Sequence, residues 1–92
     1  MSEIIRYKMT FTGRVQGVGF RYKAKATADM YRLTGYVKNE YDGSVVVEIQ
    51  GEQPEIDMFL QTLNRDRYID IYGFIKEKLS IEEGERSFII TY

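Results

Sequence analysis

Twice in this chain the spacing of apolar residues changes from every second position to every third or fourth, and this double switch restricts the possible folds more than any other feature. Over residues 5–12 apolar and polar side chains alternate, with Ile5, Tyr7, Met9 and Phe11 on one face and Arg6, Lys8, Thr10 and Thr12 on the other. That pattern predicts a half-buried strand whose second face meets solvent. Residues 20–33 contain no Gly or Pro, and Phe20, Ala24, Thr27, Ala28 and Tyr31 fall along one side of a helix, with Gly35 placed to end it. Residues 36–39 and 44–49 flank the turn signal Asp42-Gly43 and read as a hairpin closed by Gly51. Pro54 then fits the first turn of a second helix, with Glu55 and Asp57 near its positive end and Ile56, Phe59, Leu60 and Leu63 at i, i+3, i+4, i+7. Residues 68–75 alternate loosely, 76–86 are charged and read as irregular, and 87–92 are β-prone.

The order is β-α-β-β-α-β with an added C-terminal strand. Right-handed crossovers in both βαβ halves put the two helices on one face of an antiparallel sheet of four to five strands, an α+β fold of the ferredoxin-like sandwich type. The 92 residues suit a single domain, 1–92, and 43% hydrophobic residues with eight Tyr and five Phe supply its core. There are no repeats or low-complexity tracts.

Composition excludes much chemistry. With neither Cys nor His there is no thiol nucleophile, imidazole base, thiolate or imidazole metal ligand, so neither a metal nor another cofactor is expected. The start, Met1-Ser2-Glu3-Ile4-Ile5-Arg6, has no basic, apolar leader pattern, and no stretch approaches a membrane span, so a cytoplasmic, monomeric protein without a membrane partner is the expectation. Residues 1–50 hold eight Lys and Arg against five Asp and Glu, whereas residues 51–92 hold five against nine. The positive half suits a small anion; a nucleic acid partner, which asks for a broad basic face, is not expected.

That positive half contains Gly13-Arg14-Val15-Gln16-Gly17-Val18-Gly19-Phe20-Arg21, between the first strand and the first helix. Glycines let a loop turn its N–H groups inward, a helix start adds free N–H groups, and arginine adds a planar fork of donors. An anion cradle is the consequence. The nucleoside-triphosphate loop requires a terminal Gly-Lys-Ser/Thr that is missing here, and the dinucleotide fingerprint requires a small residue where Tyr22 stands.

The nine-residue stretch closely resembles the signature of the acylphosphatase family, enzymes that hydrolyse the carboxyl–phosphate bond of acyl phosphates. A second family signature is matched by Gly35-Tyr36-Val37-Lys38-Asn39 with Asp42-Gly43-Ser44-Val45, and weaker similarity runs through Gly51, Phe59-Leu60 and Phe88 with Ile90. The resemblance implies the ferredoxin-like fold reached independently above. It also implies that Arg21 and the backbone N–H groups of Gln16, Gly17, Val18, Gly19 and Phe20 bind the substrate phosphate, while Asn39 positions the attacking water. A guanidinium matches phosphate oxygens with two prongs, and an amide can accept from a water while donating to a phosphoryl oxygen. A small-molecule acyl phosphate is the implied partner.

The neighbouring charges read more plainly. Arg14 is a solvated loop residue, Lys23, Lys25 and Lys38 are surface lysines, and Glu40 and Asp42 belong to the hairpin surface. Three departures from the family pattern stand out: Tyr36 in place of a common Trp, Glu40 where a small polar residue is common, and Asn64-Arg65-Asp66-Arg67-Tyr68 in place of a Gly-Pro-like segment, read as a loop distant from the site. Rival readings are an RNA-binding module, suggested by Gly17-Val18-Gly19-Phe20-Arg21-Tyr22, a domain of a larger hydrogenase-maturation protein, and a non-catalytic binder. The position of that segment at a strand-to-helix junction and a sequence pI of about 5.4 speak against RNA.

Overall fold

The computed structural model describes residues 3–92, so the reading of Met1 and Ser2 lies outside it. Seven elements follow one another: β1 (Ile4–Arg14), α1 (Phe20–Met30), β2 (Thr34–Asn39), β3 (Val45–Glu52), α2 (Gln53–Asn64), β4 (Asp70–Leu79) and β5 (Phe88–Thr91). They form one sheet in the order β4-β1-β3-β2-β5. The first four strands of that order are antiparallel, as in a ferredoxin-like sandwich, but β5 pairs in parallel with β2 and makes the sheet mixed. The cause is the route of the chain. β4 runs down one edge, residues 80–87 pass across the sheet, and the chain arrives at the opposite edge running in the direction of β2.

Alternation places Ile5, Met9 and Phe11 of β1, Val45, Val47 and Ile49 of β3, Val37 of β2 and Phe88 of β5 in one buried cluster. Phe20, Ala24 and Ala28 of α1 and Ile56, Phe59 and Leu63 of α2 complete it, so both helices cover the same face, as their spacing predicts. Neither helix is long and apolar enough to cross a membrane.

The end of α1 differs from the expectation. The helix stops at Met30, and Arg32 takes a left-handed conformation, φ 59°. Leu33 N then donates to Ala28 O at 2.8 Å and Arg32 N to Asp29 O at 3.3 Å, a closure that turns Leu33 into the core. Gly35 is a strand residue instead of a terminator: a Cβ there would lie 1.9 Å from the Glu48 carbonyl oxygen. Because a non-glycine residue in the left-handed region costs about 1 kcal/mol or more, Arg32→Gly is expected to raise the thermal midpoint by about 4–8 °C. Scanning calorimetry of both proteins checks this, and an unchanged midpoint refutes it.

One polar segment and one glycine also behave differently from their pattern. β4 continues through Lys76, Glu77 and Lys78 to Leu79, where the sequence suggests irregular chain. Its backbone pairs with β1 as far as Arg6 opposite Leu79, and on an edge strand exposed charges discourage pairing with other chains without disrupting the ladder. Gly51, expected to close the hairpin, sits inside β3 opposite Ile5.

Arg6, expected at the solvent face, is only 4% exposed because residues 80–87 fold over it. Its guanidinium donates to Glu85 at 2.7 and 3.3 Å, to Glu48 at 3.1 Å and to Gln50 at 3.1 Å. Burial opposes this charge, yet the two carboxylates outweigh burial and hold its pKa above the ordinary value. Beside it, burial together with the hydrogen bond that Tyr36 donates to Glu48, 2.7 Å, pushes the Tyr36 hydroxyl up to about 12 from 10.0.

That shift has a sign. The folded state holds the phenolic proton more tightly than the unfolded chain, so the associated stability is whole below pH 10.0 and is lost as the pH rises through about 12. Urea midpoints measured across this window are expected to fall with pH more steeply for the parent than for Tyr36→Phe. Equal slopes in the two proteins contradict the assignment.

Candidate active site

The segment between β1 and α1 is held at both ends by buried side chains. Val15 is 1% exposed, and the Phe20 ring, 2% exposed, packs 5.1 Å from that of Phe11. Between these anchors Gly17 and Gly19 have φ values of 74° and 83°. An added Cβ at either would meet nothing within 4 Å, so backbone conformation, not crowding, calls for glycine there.

Gly19 is the N-cap of α1. No side chain caps the helix and no acidic residue occupies its first turn. The first intrahelical bond in this turn runs from Lys23 N to Gly19 O, 3.0 Å, so the N–H groups of Phe20, Arg21 and Tyr22 precede it and have no acceptor within the helix. Four aligned features thus favour negative charge at one point: unused donors, the positive end of the helix, the absence of a competing carboxylate and Arg21 itself.

Asn39 comes to this point from the other side of the sheet's end. It is the last residue of β2, paired with Val45. Its side-chain oxygen Oδ1 is buried and accepts no hydrogen bond from a described residue. A buried acceptor in that condition is destabilising by about 1–3 kcal/mol unless something else donates to it. Asn39 thus carries an amide oxygen that no described residue engages.

Gly17, Gly19, Phe20, Arg21 and Asn39 line one cleft of about 160 Å³ together with Val15 and Tyr22. Gln16 and Val18, expected to contribute backbone N–H groups, do not line it. Val18 packs against the core. Gln16 Nε2 donates to the carbonyl oxygens of Glu40 at 2.7 Å and Ser44 at 2.8 Å, fastening the loop to the turn that follows Asn39. No local signal in the sequence discloses this role, because the acceptors are backbone carbonyls far along the chain. In the same turn Ser44 donates from its hydroxyl and its N–H to Asp42, which lowers the Asp42 pKa.

A larger concavity, about 430 Å³, lies at the opposite ends of the strands, among Ile4, Met30, Tyr31, Arg32, Glu52 and Glu55. Its two carboxylates disfavour an anion. The smaller cleft, lined by an arginine, the first turn of a helix and Asn39, is the one suited to phosphate.

Residues 7–90 match the sequence profile of the family described as Acylphosphatase. The chain belongs to the acylphosphatase family. An acylphosphatase of Clostridium acetobutylicum is 40% identical over 88 residues, which cover 95% of this chain and 97% of that protein. The crystal structure of acylphosphatase from Bacillus subtilis superimposes with a TM-score of 0.88 at 31% identity, covering 96% of this chain and 99% of that one. T. kodakarensis HypF matches with a TM-score of 0.84 at 28% identity over 96% of this chain, but only 12% of HypF takes part.

In this acylphosphatase-family chain Lys23, Lys25 and Lys38 do not line the cleft. Lys25 pairs with Asp29 at 3.2 Å, Lys38 is exposed, and Lys23 lies 3.6 Å from Asp66. Through the last contact Asp66 reaches the first turn of α1, and no residue of 64–68 lines the cleft. Tyr36, the aromatic departure, joins the Arg6 and Glu48 network instead of lining the cleft.

Proposed function

We infer that this acylphosphatase-family chain hydrolyses acyl phosphates to a carboxylate and inorganic phosphate by direct attack of a water held by Asn39 on a phosphoryl group held by Arg21 and the loop. The observation that carries this reading is that Arg21, at a helix N-terminus, and Asn39, whose amide oxygen no described residue engages, line one cleft. Donors for the equatorial phosphoryl oxygens come from Arg21 and the first-turn N–H groups of α1, and the loop supplies a cradle through Gly17, Gly19 and Phe20, the residues of 16–20 that line the cleft. Asn39 accepts a proton-bearing bond from water and fixes its line of approach.

The chemistry asks for no strong acid or base. As water oxygen bonds to phosphorus, the bond from phosphorus to the acyl oxygen breaks, and the departing carboxylate is stable without a proton. The proton lost by water passes to a phosphoryl oxygen of the substrate. In a loose transition state of this kind positioning and charge stabilisation supply the acceleration. Residues 1–92 then act as one catalytic domain. We propose a monomer, the default for a domain of this size, and a cytoplasmic location, which suits a chain without cysteine.

Benzoyl phosphate in heavy-oxygen water with a chelator present tests the reaction. Turnover is expected, with the label entering phosphate. Label in benzoate would mean attack at the carbonyl carbon, and phosphate binding without turnover would favour the non-catalytic binder. Size-exclusion chromatography tests the monomer.

A further inference from the structure

Arg21 has no carboxylate within ion-pair distance among the described residues; the ring of Tyr92 covers it instead, with Cζ 4.9 Å from the ring centroid. The difference matters for a residue that must receive an anion. A carboxylate partner occupies the N–H fork of a guanidinium, whereas an aromatic ring takes its flat face and leaves the edge donors free.

The architecture supports that contact from both directions. β5, the strand added to the ferredoxin-like core, lies beside β2 with Thr91 opposite Lys38, one residue before Asn39. On α1, Lys25 stands one helical turn after Arg21 and donates to Phe88 O at 2.9 Å. Residues four apart share a helix face, so α1 is fastened to the β5 segment at both of its ends, by Lys25 to Phe88 and by Arg21 to Tyr92.

We propose that Tyr92 is a positioning residue for Arg21: its ring orients the guanidinium toward the cleft and leaves the fork free for phosphate. The proposal rests on the reading of Arg21 as the phosphate holder. Tyr92 is 83% exposed, so replacing it disturbs little packing.

The test compares the parent, Tyr92→Phe, Tyr92→Leu and Arg21→Ala in steady-state hydrolysis of benzoyl phosphate, with inorganic phosphate as competitive inhibitor. Tyr92→Leu is expected to raise KM and the inhibition constant of phosphate together by about two- to fivefold, the range of an exposed cation–π contact. Tyr92→Phe keeps the ring and is expected to match the parent, and the thermal midpoints of both variants stay near the parental value. A Leu variant with parental constants, or a Phe variant that loses as much as Leu, overturns the proposal. If Arg21→Ala itself keeps parental activity, the reading of the site fails, which is a separate outcome from a silent Tyr92→Leu beside an inactive Arg21→Ala.

Discussion

Replacing Arg21 by alanine is expected to lower kcat/KM for benzoyl phosphate by about 10²- to 10³-fold, the usual cost of removing one preorganised donor from a developing anionic centre. The fold survives the change. Arg21 has no ion pair among the described residues, its helix begins at Phe20, and alanine favours helix more than arginine does. The thermal midpoint is therefore expected to stay within about 3 °C of the parent. Both KM and kcat suffer, because the guanidinium meets the phosphoryl oxygens in the ground state and again as charge shifts in the transition state. Arg21→Lys restores charge but not the fork, and its recovery is partial. Parental kcat/KM in Arg21→Ala removes this residue from the mechanism.

Asn39→Ala is expected to act on the other factor. The amide handles the water, so kcat falls by about 10²-fold or more while KM changes little. Stability should move in the opposite direction from activity. Oδ1 is a buried acceptor with no partner among the described residues, and removing it relieves a desolvation penalty of about 1 kcal/mol or more. The thermal midpoint of Asn39→Ala is thus expected at or above the parental value. Steady-state kinetics and calorimetry on one preparation check both parts: a fall in stability together with unchanged kcat would mean that Asn39 serves the fold. Asn39→Asp should be inactive as well, since a carboxylate there repels the phosphoryl group.

Features with a local cause were readable from the sequence. The alternation of β1, the apolar stripe of α2 and the glycines at the start of α1 each express their structure within a few residues, and the two signature segments meet in the cleft through Arg21 and Asn39. What sequence could not disclose depends on distant partners. Arg6 is buried by Glu85, which arrives 79 residues later, and the Gln16 side chain is spent on two remote carbonyls. The charged end of β4 is a strand because β1 offers it a ladder, not because of its own pattern. Arg32 ends α1 against its own conformational preference because the burial of Leu33 outweighs it. The parallel direction of β5 follows from the path of the chain across the sheet, which periodicity does not encode.

The sheet order has a kinetic consequence. Apart from the β2–β3 hairpin, every strand pair joins segments far apart in the chain, from Phe11 with Val45 at the nearest to Arg6 with Leu79 at the farthest. Long loops must close before those ladders repay the lost entropy, so the chain belongs among slow folders of high contact order. Arg21 and Asn39 reach each other only through this closure, since β3 lies between β1, which leads into the loop, and β2, which ends in Asn39. Recovery of hydrolysis during refolding then reports the assembled sheet, and no fragment ending before β3 can bring the two residues together.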